Sequence, residues 1–141
     1  YMPSNNRSQL KKTERNTLVI DAYNANPTSM RASIENFAQL ELPGKVLMLG
    51  DMLELGADSV QEHVEILSLA AQKGFEKIFL VGGEFAKAHS QLDAKLLQGE
   101  ITLFEDSLLL QQHLKEKPLS GCSILIKGSR GKRLERTIEA L

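Results

Sequence analysis

No stretch of this 141-residue sequence stays apolar for long enough to suggest a membrane span, which needs roughly 20 residues. The opening residues Tyr1-Met2-Pro3-Ser4-Asn5-Asn6-Arg7 lack the apolar core of a secretory signal. An excess of one charge is also missing. Seventeen Lys and Arg stand against 18 Asp and Glu, a formal charge of -1, so no global field draws in nucleic acid or an anionic membrane. Any anionic ligand has to be caught by a local site. The single cysteine, Cys122, excludes an internal disulfide, and its place in Cys122-Ser123-Ile124-Leu125-Ile126 reads as a buried structural thiol. Internal repeats, low-complexity tracts and linkers are lacking, and the P-loop spacing Gly-x4-Gly-Lys-Ser/Thr occurs nowhere. The expectation is one cytoplasmic domain over residues 1–141. Its start on Tyr1 is what a piece cut from a longer protein would show.

What is present is an ordinary globular composition, 42% hydrophobic and 25% charged, in a chain long enough to bury roughly two-thirds of its unfolded surface. Apolar runs bounded by turn residues lie at Thr17 to Ile20, Val46 to Leu49, Ile78 to Val81, Ile101 to Phe104 and Ser123 to Ile126. They read as buried strands. Helical spacing falls between and after them, at Ser29 to Leu40, Ser59 to Lys73, Glu84 to His89, Ser107 to Lys115 and Lys132 to Leu141. The alternation predicts an α/β fold: a doubly wound, mostly parallel sheet with helices on both faces. Ser8 to Lys12, turned back by Thr13-Glu14-Arg15-Asn16, predicts an antiparallel edge strand, making about six in all. Ser59-Val60-Gln61-Glu62 reads as a capping box.

Ligands of open α/β sheets bind beyond the carboxyl ends of strands, so the residues after each apolar run are the candidates. Asp21-Ala22-Tyr23-Asn24-Ala25-Asn26-Pro27-Thr28-Ser29 places a carboxylate, a phenol and two amides before a helix. Turn closure would use the amides and Asp21, with Pro27 starting the helix and Thr28 or Ser29 capping it. It has no need of Tyr23 and Asn24, which suit a planar base or a sugar hydroxyl.

Gly50-Asp51-Met52-Leu53-Glu54-Leu55-Gly56 holds two carboxylates between glycines, with His63 close by on the next helix. Asp51 and Glu54 fit an ammonium group or a basic side chain, although Asp51 also suits a turn cap. Lys127-Gly128-Ser129-Arg130-Gly131-Lys132-Arg133 surrounds a predicted helix start with cations, a composition suited to an anion. Gly82-Gly83 reads as a tight turn without a polar partner, and His89 and His113 as residues of exposed helix faces.

Taken together, Asp21-Ala22-Tyr23-Asn24-Ala25-Asn26-Pro27, Leu49 to Gly56 and Lys127-Gly128-Ser129-Arg130-Gly131 resemble the C-terminal domain of the Mur ligase family in order and spacing. The resemblance implies a Rossmann-like domain that follows an N-terminal UDP-sugar domain and a central ATPase domain. It also implies ATP and magnesium as cofactors, the metal bound mainly by the central domain. The branch of the family most similar to these motifs joins D-alanyl-D-alanine to UDP-N-acetylmuramoyl-tripeptide through an acyl phosphate, in peptidoglycan synthesis.

On that basis Asp21 matches a nucleotide-contacting aspartate, with Tyr23, Asn24 and Asn26 lining the base and ribose. Arg7 resembles a domain-junction arginine that reaches the nucleotide. Asp51, Glu54, His63, Lys127, Ser129 and Arg130 are candidates for the dipeptide by their chemistry and strand-end placement. No catalytic residue is expected in this domain, which is expected to be inactive alone.

Two other classes compete. A receiver-like signalling domain shares strand-end Asp residues and a late Lys, but its phosphoacceptor follows the third strand of the parallel series, where this chain has Gly82-Gly83. A free-standing nucleotide-binding module differs only in having no catalytic domain before it.

Overall fold

The computed structural model describes residues 9–21, 25–53, 55–92, 100–128 and 134–141. Its elements run β1 (Gln9–Lys12), β2 (Thr17–Asp21), α1 (Pro27–Gln39), β3 (Lys45–Gly50), α2 (Ser59–Ala71), β4 (Lys77–Val81), α3 (Gly83–Gln91), β5 (Glu100–Phe104), α4 (Ser107–Glu116) and β6 (Ser123–Lys127). A 3-10 segment over Leu134–Ala140 follows. The strands form one sheet in the order β1-β2-β6-β3-β4-β5. β1 runs antiparallel along β2, with Gln9 opposite Ile20 and Lys12 opposite Thr17. The other neighbours are parallel.

Strand side chains alternate between faces, and the two cores follow from that alternation. Leu47, Leu49, Ile78, Leu80 and Leu125 meet Met30, Ile34 and Phe37 of α1, Ile66, Leu67 and Ala70 of α2, and Phe85 of α3. Their strand neighbours Val46, Met48, Phe79, Val81, Ile124 and Ile126 face Leu110 and Leu114 of α4 and Leu134 of the 3-10 segment. Helices therefore cover both faces, three on one, with α4 and the 3-10 segment on the other. Each fully buried Leu, Ile or Phe contributes about 1.5–3 kcal/mol.

Several local expectations need correction. α2 does begin at Ser59, but its N-cap is Asp58, with no side-chain cap bond. The Ser59 hydroxyl instead donates to Glu84 on α3, at 2.6 Å. The capping box belongs to α1, where Asn26 Oδ1 accepts from Ser29 N and Ser29 Oγ accepts from Asn26 N, with Pro27 in the first turn. The stretch from Lys132 onward, expected to be α-helical, is 3-10 over Leu134–Ala140. Cys122 is half-buried just ahead of β6, not a core thiol; burial first, then the nearby Glu76 charge, push its thiol up. His113 packs its ring 5.8 Å from Phe79 and 5.3 Å from Phe104, so it is not on an exposed face.

Candidate functional site at the carboxyl edge

Three of the strand-end motifs leave adjacent strands. β2, β6 and β3 are neighbours, with Asp21 opposite Lys127 and Lys127 opposite Leu49. After Asp21 the chain crosses to α1 on one face of the sheet, whereas after β6 it reaches the 3-10 segment on the other. Strands whose connections part in this way open a crevice at their carboxyl ends, where α/β proteins place ligands.

The last residues of β2 and β6 pair with each other. Lys127 Nζ lies 2.8 Å from Asp21 Oδ2, and the same oxygen accepts from Ser33 Oγ of α1 at 2.9 Å. Lys127 is 1% exposed and Asp21 7%. A charge this buried needs an opposite charge or a set of hydrogen bonds. Register supplies the charge: a strand-end carboxylate and a strand-end ammonium on neighbouring parallel strands at the same level of the sheet. Gly128 then brings two backbones together, since a Cβ there would meet Gly50 Cα at 2.9 Å and Leu134 Cδ1 at 2.8 Å.

One strand further on, Asp51 turns inward. Its carboxylate accepts from the backbone N–H groups of Glu84 and Phe85, each at 3.0 Å. These are unpaired donors of the first turn of α3, and the carboxylate also sits at the positive end of the helix dipole. Gly82, the N-cap of α3, has φ 120 and no side chain with which to cap; a Cβ at this glycine would collide with the Asp51 carboxylate. Gly82 is thus more than a tight turn, and the polar partner missing from the sequence reading is Asp51.

His63, fully buried, extends the same network. Its Nε2 accepts from Met52 N at 2.9 Å, and its Nδ1 stands 2.6 Å from Ser59 O. Accepting at Nε2 leaves the proton on Nδ1, which donates to the Ser59 carbonyl. The ring lies edge-on to Phe85 at 4.6 Å. Between them, Asp51 and His63 hold the start of the acidic loop and leave Leu53 on its exposed side. Glu84 completes the frame. Its carboxyl lies below the ordinary glutamate value, first because the Ser59 hydroxyl donates to it, then because Lys87 does.

Of the sequence-predicted site residues, Asp21 and Lys127 are thus brought into contact. Asp51 and His63 share one buried network, and Asn26 caps α1. Arg7, Tyr23, Asn24, Glu54, Ser129 and Arg130 lie outside the described residues. Ser33 and Glu84 were not singled out from sequence, while Ser59 was read only as the cap of its own helix and Gly82 only as a tight turn. Among the described residues, no group of three or more His, Cys, Asp or Glu is placed to hold a metal ion. No helix among them is long and apolar enough to cross a membrane.

The Mur ligase, glutamate ligase domain family model matches residues 6–130. A UDP-N-acetylmuramoyl-tripeptide–D-alanyl-D-alanine ligase of Bacillus subtilis (strain 168) is 36% identical over 145 residues, covering 96% of this chain and 30% of that protein. A MurF crystal structure from Acinetobacter baumannii superposes with a TM-score of 0.77 at 27% identity, over 98% of this chain and 30% of its own. The MurF ligase of Thermotoga maritima, solved in complex with ADP, gives 0.69 at 27% identity, over 95% and 30% respectively. The chain therefore spans about three-tenths of the length of these relatives.

Proposed function

This chain belongs to the Mur ligase family, and from that premise we propose that it is the C-terminal domain of a three-domain, cytoplasmic ligase that joins D-alanyl-D-alanine to UDP-N-acetylmuramoyl-tripeptide. In the proposed reaction, ATP transfers its γ-phosphoryl group to the peptide carboxylate. The dipeptide amine then attacks the acyl carbon, phosphate leaves, and the amine loses a proton as the amide forms. The observation that carries the reading is the convergence of three motifs on the carboxyl ends of β2, β6 and β3.

The domain's part is to bring two ligands together. Arg7, Tyr23 and Asn24 are assigned to the nucleotide, while Asp21 and Asn26 hold the two ends of the segment that carries Tyr23 and Asn24. Glu54, Ser129 and Arg130 are assigned to the dipeptide, whose ammonium and carboxylate need opposite charges. Asp51, His63 and Lys127, being buried, are assigned a supporting part. Positioning of this kind raises the rate by fixing orientation and excluding water. Among the described residues no group of three or more His, Cys, Asp or Glu is placed to hold a metal ion; magnesium is proposed, on the family resemblance, to be held mainly by the central domain, and no step here runs through it.

The test uses the longer protein that contains this domain. Purified, it should release phosphate from ATP only when both UDP-N-acetylmuramoyl-tripeptide and D-alanyl-D-alanine are present, with one amide formed per phosphate. The 141-residue chain, lacking a P-loop, should release none. Amide formation with a different amine in preference to the dipeptide, or ATP turnover by the isolated chain, overturns the proposal.

A further inference from the structure

We infer that His63 is an acid-operated latch on the start of the loop after β3: as a neutral ring it holds the backbone at Met52, and as an imidazolium it lets that backbone go. The inference stands apart from the function proposed above, since it concerns only residues 51–53 and 59–63 and the start of α3.

The bonds around the ring admit one protonation state. Nε2 accepts from Met52 N at 2.9 Å while Nδ1 donates to Ser59 O at 2.6 Å, so both ring nitrogens are engaged and the ring is neutral. An imidazolium carries an N–H at both positions and accepts nothing. A proton taken from solvent onto Nε2 therefore sets two N–H groups against each other where one bond now stands. His63 is fully buried and Met52 is 1% exposed, so water cannot replace the lost acceptor unless the chain moves.

The surroundings give the added proton somewhere to turn. Nε2 lies 4.0 Å from Asp51 Oδ1, one residue before the bond that is lost. That oxygen already accepts from Phe85 N at 3.0 Å, so the imidazolium and the first turn of α3 compete for it. From α3, Glu84 adds a second negative charge, paired with Lys87 at 3.1 Å. On α2 itself Glu62 is half-buried and Glu65 exposed, while α1 turns the apolar Met30, Ile34 and Phe37 to the shared core. The Glu84 carboxyl lies below its ordinary value of 4.5. It therefore stays charged near pH 6.5, about where an unperturbed histidine titrates, and the proton that works the latch belongs to the ring.

The alternative is a structural histidine that stays neutral for as long as the domain is folded. Amide exchange separates the two, read by NMR on the 141-residue chain, whose two cores close within it. After division by the intrinsic rate at each pH, protection of the Met52 amide should fall about tenfold or more between pH 8 and pH 5. The neighbouring Asp51 amide, bonded to Val81 O at 3.0 Å, should keep its protection. In His63→Gln the side chain offers an amide oxygen near the position of Nε2 but takes up no proton, so Met52 protection should not depend on pH. Isotopic labelling of the ring nitrogens gives the second readout: His63 should be the Nδ1–H tautomer at pH 8 and the imidazolium at pH 5, with the midpoint of the Met52 change.

Constant protection at Met52, equal losses at Met52 and Asp51, or a fall that persists in His63→Gln overturns the inference. So does an Nε2–H tautomer at pH 8. Should His63→Gln fail to fold, the wild-type chain decides alone: a shared midpoint for ring and amide supports the latch, and separate midpoints sink it.

Discussion

At the amino end of the sheet the buried polar side chains are neutral, Ser123 at the start of β6 and the amide of Asn16. Asn16, 5% exposed, donates from Nδ2 to the carbonyls of Leu119 and Leu141, and its Oδ1 accepts from Cys122 N, each at 3.0 Å. Thr13 adds a bond from its hydroxyl to Leu141 O at 2.8 Å. At the carboxyl end the buried groups are Asp21, Lys127, Asp51 and His63. A buried amide whose bonds are made costs little and ties the β1–β2 turn to the approach to β6 and to the last residue of the chain. A buried ion pair is a weak route to stability, since apolar residues of similar volume often serve as well or better. The contrast teaches that the same sheet is closed by neutral bonds at one end and carries charge at the other, where the loops proposed for the ligands leave it.

Substituting Gly82 attacks the charged end most directly. Gly82→Ala places a side chain at φ 120 and drives it into the Asp51 carboxylate, so α3 loses its cap along with a permissive backbone position. Strain and the lost cap together should cost about 4 kcal/mol, lowering Tm by roughly 10 °C or more for a chain of this size. Thermal unfolding checks it. A loss under about 1 kcal/mol would mean that the loop after β3 relaxes freely, contrary to the buried frame described for it.

Asn16→Ala breaks the other end. It leaves Leu119 O, Leu141 O and Cys122 N without their side-chain partner, an expected cost on the order of 3 kcal/mol. Substrate KM values in the proposed full-length ligase should stay at wild-type levels, because every bond it breaks lies at the end of the sheet away from the proposed ligand sites. A KM that rises with little loss of stability would show that the two ends are not separate.

The fold was legible because its signals are local. Runs such as Val46 to Leu49 and Ser123 to Ile126, short and bounded by turn residues, read as buried strands, and the charged stretch before Thr17 suited an edge. The motifs after the strands also read as a family resemblance, which the family match bears out. What stayed hidden depends on which strands become neighbours. Nothing between Asp21 and Lys127 in the sequence says that β6 inserts beside β2, so their pairing could not be read. The same holds for Asp51 capping α3 across 33 positions, and for Ser59 turning from its own helix to Glu84. A Ser-x-x-Glu pattern specifies a possible cap, but a carboxylate from the next helix can take the hydroxyl instead.

The Ser59–Glu84 bond gives the smallest and sharpest test of the charged end. The Ser59 hydroxyl is the largest cause holding the Glu84 carboxyl below its ordinary value of 4.5, ahead of Lys87. A carboxyl whose folded-state pKa is depressed adds stability that is fully present above its unfolded value. That stability is lost as the pH falls below 4.5 and through the folded value. Ser59→Ala removes the main cause, so the Glu84 pKa should move up toward the ordinary range while Lys87 keeps part of the shift. Carboxyl NMR titration of Glu84 reads this directly. The fall in Tm between pH 5 and pH 3 should also become slightly shallower, and the neutral-pH Tm should drop by only a few degrees, roughly the worth of one hydrogen bond. His63 keeps its bond to the Ser59 backbone carbonyl in this variant, so the buried frame itself survives. An unchanged Glu84 titration would show that the hydroxyl does not hold the carboxylate, and that the start of α2 is joined to α3 through Asp51 and His63 alone.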